Sequence, residues 1–144
     1  MTREDIVNYF ARRQELWRLK DPVHLAADHA EHGVVDSPMF GQLNGRPAIE
    51  QSYRDLFAAF NDWELVGEEL VIDGLRAVQI FRSTATHARD FFGLPGTGRR
   101  FEVHGMLYYR FENGKIAHER RSYDFTSLLI QIGVLRAKPG KQTA

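Results

Sequence analysis

The sequence predicts an α+β fold in which N-terminal helices pack against a long, curved antiparallel sheet, and three observations predict it. Apolar residues recur near the helical period in two N-terminal segments, Ile6 to Trp17 and Ile49 to Phe60. Beyond Trp63 the chain is β-rich, and Asp73-Gly74 and Asn113-Gly114 each separate two apolar-rich runs, as the positive φ angles of tight hairpin turns require. The runs are longer than the usual ~5 to 6 residues of a strand, and a sheet of long strands buries its apolar surface by twisting and curling around helices. The expected result is a half-barrel whose interior is the site of function.

Each element follows from local signals. Thr2 with Asp5 reads as a capping pair, and Ile6, Phe10 and Trp17, widened by Val7 and Leu16, carry a first helix to about Lys20. Asp21-Pro22 breaks it, Val23 to Ala27 allows one or two further turns, and His32 to Asp36 reads as a short strand stopped at Pro38, with a loop after it. Pro47 suits a first helical turn, and Ile49, Tyr53, Phe57 and Phe60 form the stripe of a second long helix ending near Asn61-Asp62. Strands are expected over Trp63 to Ile72, Leu75 to about Arg89, Arg100 to Phe111 and Lys115 to Phe125. The glycines and proline of Phe91 to Gly98 make a rim loop. Ser127 to Leu135 is apolar enough for a turn of helix or an extra edge, and 137–144 reads as a frayed tail behind a single domain over 1–136.

Composition narrows the function classes. The 144 residues, 43% hydrophobic, suffice for one sizeable core. Nineteen basic residues balance nineteen acidic ones and neither sign is concentrated, which argues against nucleic acid and membrane surfaces as partners. The absence of cysteine excludes disulfides, thiolate metal sites and cysteine nucleophiles. The charged, helix-patterned N-terminus argues against a signal peptide, so a cytoplasmic protein is expected.

Several segments resemble the SnoaL-like polyketide cyclases, the ester-cyclase branch of the nuclear transport factor 2-like (cystatin-like) superfamily. They are Asn44-Gly45-Arg46-Pro47-Ala48-Ile49, Phe60-Asn61-Asp62, Thr86-His87, Gly93 to Arg99, Gly114-Lys115-Ile116, and Tyr123-Asp124 followed by Leu128 to Gly133, and they occur in the family's order. The resemblance implies a cone-shaped α+β barrel with a deep pocket, a homodimer across the outer sheet and no cofactor. It also implies ring closure on a polyketide ester by an intramolecular aldol step, with an aspartate near the end of the final strand as acid-base; by position this resembles Asp124. The chain departs from the pattern at Arg120, where relatives commonly carry tryptophan, and at Asp36, where many carry histidine, so the substrate need not be an aromatic polyketide.

On a regular strand Ile116, His118, Arg120, Ser122 and Asp124 share one face, so if Asp124 faces the interior, Arg120 does too. A carboxylate in an apolar pocket becomes able to move a proton next to a carbonyl. The alternative is a surface carboxylate capping the segment that begins at Thr126. Arg120 lies roughly 13 Å away along an ideal strand and would hold a substrate oxyanion, or else reach solvent. His87 and His104 in the middle strands are candidates to orient a carbonyl or a carboxylate, against a structural role for each. Asp36 is either a second pocket carboxylate or part of an Asp-Ser-Pro turn.

Tyr53, Phe57, Trp63, Met106 and Tyr108, with Trp17, Phe40 and Tyr123, offer surface for an apolar ligand, although most of such a set must be core. No metal is expected: His29 and His32 have the i, i+3 spacing of helical ligands but fall at a helix-to-strand junction, and no close motif completes a ligand set. The Gly93 to Gly98 run lacks the lysine-serine ending of a phosphate loop. The leading expectation is a cofactor-independent cyclase or isomerase acting on a hydrophobic carbonyl or ester compound, with Asp124 as acid-base and Arg120, His104 or Asp36 in support. Epoxide hydrolysis by Asp36, Arg120 and Asp124 is a variant within the superfamily, and a non-catalytic ligand-binding or dimerisation module is the alternative.

Overall fold

Thr2 opens the first helix. Its hydroxyl accepts from the Asp5 N–H at 3.1 Å while the Asp5 carboxylate accepts from the Thr2 N–H at 2.7 Å, which satisfies two donors that lack an intrahelical partner. The computed structural model describes residues 1–136, 138 and 140, so most of the expected tail over 137–144 lies outside the described residues. Helix α1 spans Arg3–Leu19 and buries Ile6, Phe10, Arg13 and Trp17, an apolar stripe interrupted by one arginine. Lys20, at φ 52°, ends it in the left-handed region. Asp21 then caps α2 (Pro22–Ala27) by accepting from the His24 N–H at 3.0 Å. Helix α3 spans Arg46–Ala59 and turns Ile49, Tyr53 and Leu56 inward.

Six strands follow the order β2-β1-β6-β5-β4-β3, in a sheet that curves around α1 and α3 without closing. They are β1 (His29–Ser37), β2 (Gly41–Asn44), β3 (Glu64–Asp73), β4 (Arg76–Thr86), β5 (Arg100–Glu112) and β6 (Lys115–Tyr123), and a short helix, α4 (Phe125–Gln131), ends the fold. The two hairpins form at the predicted dipeptides, with Gly74, Asn113 and Gly114 all at positive φ. Several details differ from expectation: β4 ends at Thr86 and β6 at Tyr123, short of Arg89 and Phe125. β2 occupies what reads as loop, and β1 begins at His29 and runs parallel to β6, as an N-terminal strand added beside the last one. Among the described residues, no helix is long and apolar enough to cross a membrane.

The register of β6 decides what the interior contains. Phe111 pairs with Ile116, but the next residue of β5, Arg110, pairs with His118, so Ala117 is an extra residue in the ladder. A one-residue insertion reverses every side chain beyond it. Ile116 and Glu119 are therefore buried, Arg121 and Tyr123 point the same way and are partly buried, and His118, Arg120 and Ser122 face outward.

Candidate functional site

The concave side of the sheet holds a narrow slot of about 30 Å³, room for little more than a water. Trp17 of α1, Leu56 of α3, Trp63 and Leu65 at the start of β3, Phe81 of β4 and Leu107 of β5 make its apolar wall. Met39 and Phe40 close one side from the β1–β2 turn, where Ser37 Oγ accepts from both of their N–H groups at 3.2 and 3.1 Å. Tyr123 and Arg121, from the reversed face of β6, supply the polar end. Burial pushes the Tyr123 phenol above its usual range, so the slot holds it as a donor. The Trp63 Nε1–H is also buried without an acceptor.

Arg121 is 9% exposed and is fixed from two directions. Its Nε donates to Glu119 Oε2, and its Nη2 reaches the Tyr53 hydroxyl at 3.4 Å with the guanidinium 5.5 Å from the Tyr53 ring centre. Tyr53 also accepts from Arg13 Nη2 at 3.2 Å, and Arg13 Nη1 pairs with Asp28 at 2.8 Å. Arginine only donates, so the Tyr53 oxygen is the acceptor in both contacts and its own proton points to His29 Nε2, 3.3 Å away. This assigns the His29 proton to Nδ1, which has no partner.

Burial pushes the His29 pKa down to about 3, which leaves the ring neutral. Burial acts to raise the Glu119 pKa, but the charges around it, chiefly Arg121, outweigh that and hold it below the ordinary carboxylate value. Two arginines and two carboxylates thus balance in the interior, with Glu119 Oε1 left without a hydrogen bond. The polar side chains of the slot, Arg121, Trp63 and Tyr123, can each donate, and among the described residues no carboxylate lines it. Such a surface accepts an apolar molecule with a carbonyl or other acceptor oxygen. Among the described residues, no group of three or more His, Cys, Asp or Glu side chains is placed to hold a metal ion.

The sequence profile of the SnoaL-like polyketide cyclase family matches residues 9–132. The chain belongs to the SnoaL-like polyketide cyclase family. No curated protein matches it. Among solved structures it is similar to TsrD from Streptomyces laurentii, with 22% identity and TM-score 0.82 over 94% of this chain and 99% of that one. A SnoaL-like polyketide cyclase from Agrobacterium tumefaciens matches at 21% identity and TM-score 0.69, over 86% and 94% of the two chains. A protein with a ketosteroid isomerase-like fold from Catenulispora acidiphila, in complex with trimethylamine, matches at 17% identity and TM-score 0.75, over 94% and 96%. At these identities the structures establish a shared fold.

Within that family fold, the residues expected to form the site disperse. Asp124 is exposed: β6 ends at Tyr123, and Asp124 caps α4 by accepting from the Ser127 N–H at 2.8 Å. Arg120 is 68% exposed on the outer face, placed there by the Ala117 bulge, with Nε 3.9 Å from Asp36 Oδ2. Asp36 faces the same side and accepts from His118 Nε2 at 2.7 Å and from Gln42 Nε2 at 3.1 Å. Asp36 and Arg120 therefore meet outside the slot and Asp124 does not join them, so the arrangement that epoxide hydrolysis requires is not assembled. His104, Met106 and Tyr108 lie on the outer face, because the alternate residues Val103, Leu107 and Tyr109 fill the core. His87 is buried at the end of β4, away from the slot wall, with Nδ1 3.1 Å from Thr97 Oγ1.

Tyr53 and Trp63 do reach the interior, and Phe57 packs beside Tyr53 and Trp17. The sequence expectation omits the polar set Arg13, Asp28, Glu119 and Arg121, and considers His29 only as a metal ligand. One signal does point to that set: from His118 to Arg121 every residue is polar, so either face of the strand carries charge inward.

Proposed function

We propose that the chain binds a hydrophobic carbonyl or ester compound with its oxygen on Arg121, and promotes enolisation at the neighbouring carbon without a cofactor. The observation that carries this reading is a nearly buried guanidinium at the end of an aromatic slot, held by Glu119 and Tyr53. A fixed positive group placed where an enolate oxygen gains charge stabilises that charge more than it stabilises the ground-state carbonyl. Tyr123 is the second donor. Asp124, exposed as the α4 cap, has no part in this reading, and no side chain of the slot acts as a strong base. The proton leaving carbon passes to solvent water while the C–H electron pair moves into the enolate held on Arg121, so the compatible substrates are those whose C–H is already acidic, such as a carbon between two carbonyls.

The test is proton exchange in pentane-2,4-dione, a diketone without a ring, followed by NMR in deuterated buffer. Protein should accelerate loss of the central C–H signal, and Arg121→Met should slow that reaction by roughly 100-fold, the scale of one oxyanion donor. An exchange rate equal to that of buffer alone refutes the catalytic reading. Binding without acceleration supports the second reading, a ligand-binding module, which the absence of a carboxylate from the described slot wall favours.

We also propose pairing of two copies across the outer sheet. Val71 and Met106 are 52% and 54% exposed there, and Tyr108, on β5 with Met106, lies in the same cross-strand row as Val71. Met106→Glu should convert a dimer to a monomer in sedimentation equilibrium, and a wild-type chain that sediments as a monomer refutes the pairing.

A further inference from the structure

The slot is too small for any ring-bearing carbonyl compound, yet an open depression of about 420 Å³ lies directly beside it. One residue, Phe40, belongs to the walls of both. The far wall of the depression is made by Ala58 and Ala59 at the end of α3 and by Phe91 and Phe92 of the loop before β5, and Asp55, Arg89 and Asp90 complete its rim.

Phe92 is held in an unusual way. It is 60% exposed, its ring centre is 5.7 Å from that of Phe40 in an edge contact, and its backbone sits at φ 49°. Phe91 and Leu94 exchange hydrogen bonds at 3.0 and 2.9 Å across Phe92-Gly93, a two-residue turn with positive φ at both central positions. Glycine suits that geometry and phenylalanine does not. A bulky aromatic ring, half in water and on a backbone that disfavours it, is held between Phe91, 4.5 Å away between ring centres, and Phe40.

We infer that Phe40 is a movable partition between slot and depression. In the bound state the two voids form one continuous site, in which a carbonyl compound of two or more rings keeps its oxygen on Arg121 and lays its far end under Phe92. The opening motion is a side-chain rotation of Phe40, the one residue common to both walls, and Phe92 is the surface against which the displaced ring rests. The inference rests on the Arg121 reading of the slot, and it makes Phe40 and Phe92 determinants of how large a ligand enters.

Both tryptophans of the chain, Trp17 and Trp63, line the slot, so intrinsic fluorescence reports its occupancy. Stopped-flow binding of 2-acetonaphthone, a two-ring ketone, should be limited by partition opening in the wild type. Phe40→Ala should raise the association rate roughly tenfold, within the range over which rates vary among variants of one site. Phe92→Gly, which relieves the backbone and spares the core, should raise it as well, and acetophenone, with one ring, should respond less than the naphthyl ketone. Equal association rates in wild type, Phe40→Ala and Phe92→Gly overturn the partition. If those rates are equal while Arg121→Met weakens binding, the partition is wrong and the Arg121 reading stands. If the aromatic variants accelerate binding but Arg121→Met leaves it unchanged, the partition stands and the oxygen is held elsewhere. No fluorescence response in any variant overturns both.

Discussion

His29 Nε2 lies 3.7 Å from Glu119 Oε1, with both side chains almost wholly removed from water, a neutral ring set beside an ionised carboxylate by the strands that carry them. The contact is not a full ion pair, because burial opposes the imidazolium more strongly than Glu119 favours it. His29 and Glu119 come from the two parallel strands, so their juxtaposition exists only when β1 docks beside β6.

Acid should weaken the fold through this pair. The His29 pKa is about 3 in the folded chain and ordinary, about 6.5, when unfolded. The unfolded chain therefore takes up the proton first, and stability present above the unfolded value is lost as pH falls toward the folded one. Glu119, also lowered, adds to the loss in the acidic part of the same range. Each such group contributes a slope of up to about 1.4 kcal/mol per pH unit. Urea unfolding across that window should show the decline, and His29→Gln should flatten it above the Glu119 range. Parallel curves for wild type and variant would show that His29 is not the titrating group.

Removing only the charge of Glu119 should be costly. Glu119→Gln leaves Arg121 and Arg13 opposed by Asp28 alone in the interior, and breaking a buried pair on one side costs about 3 to 5 kcal/mol. In the double variant Glu119→Gln, Arg121→Met the loss should fall short of the sum of the single losses by more than about 1 kcal/mol, as expected of residues in one network. Additive losses in chemical denaturation would mean that the two side chains do not support one another.

The helices, the hairpins and the rim loop were legible because their signals are local: a capping pair, a proline break, glycine dipeptides and a helical stripe. The site was not, because its contents depend on a pairing. Nothing between Asn113 and Tyr123 announces that Ala117 is the extra residue, since that is a property of how β6 meets β5. Strict alternation from Ile116 places Arg120 inside, whereas the bulge exchanges it for Arg121. The parallel addition of β1 is likewise non-local, and it converts His29 from a junction residue into the centre of a buried network. Asp124 carried both readings in the sequence, and the end of β6 one residue earlier makes it the helix cap.

That cap sets a modest scale for Asp124. Its carboxylate replaces one missing intrahelical partner at the start of α4, so Asp124→Ala should cost roughly 1 kcal/mol and Asp124→Asn much less. Neither should alter binding of 2-acetonaphthone, monitored by tryptophan fluorescence. A large loss of binding in Asp124→Asn would return the aspartate to the ligand site.

Gly105 and Gly67 both sit in close quarters, and their environments predict opposite sensitivities. A methyl group at Gly105 would meet the backbone oxygen of Ser122 at 2.2 Å, with Phe81 Cε1 and Tyr123 Cβ each at 2.9 Å. The carbonyl belongs to the β5–β6 ladder and cannot step aside without parting the strands that present Tyr123 and Arg121. At Gly67 the added methyl meets the Gln79 amide nitrogen at 2.3 Å, the far end of a flexible side chain on the neighbouring strand. Overpacking that the structure cannot relieve costs about 1 to 3 kcal/mol. Gly105→Ala should therefore reach the top of that range in urea denaturation and weaken 2-acetonaphthone binding, because Phe81 and Tyr123 both line the slot. Gly67→Ala should lose less than about 1 kcal/mol, because rotation of Gln79 relieves the contact. Equal losses at the two positions would mean that the β5–β6 ladder yields as readily as a side chain, and that the reversed face of β6 is not a rigid support for Arg121.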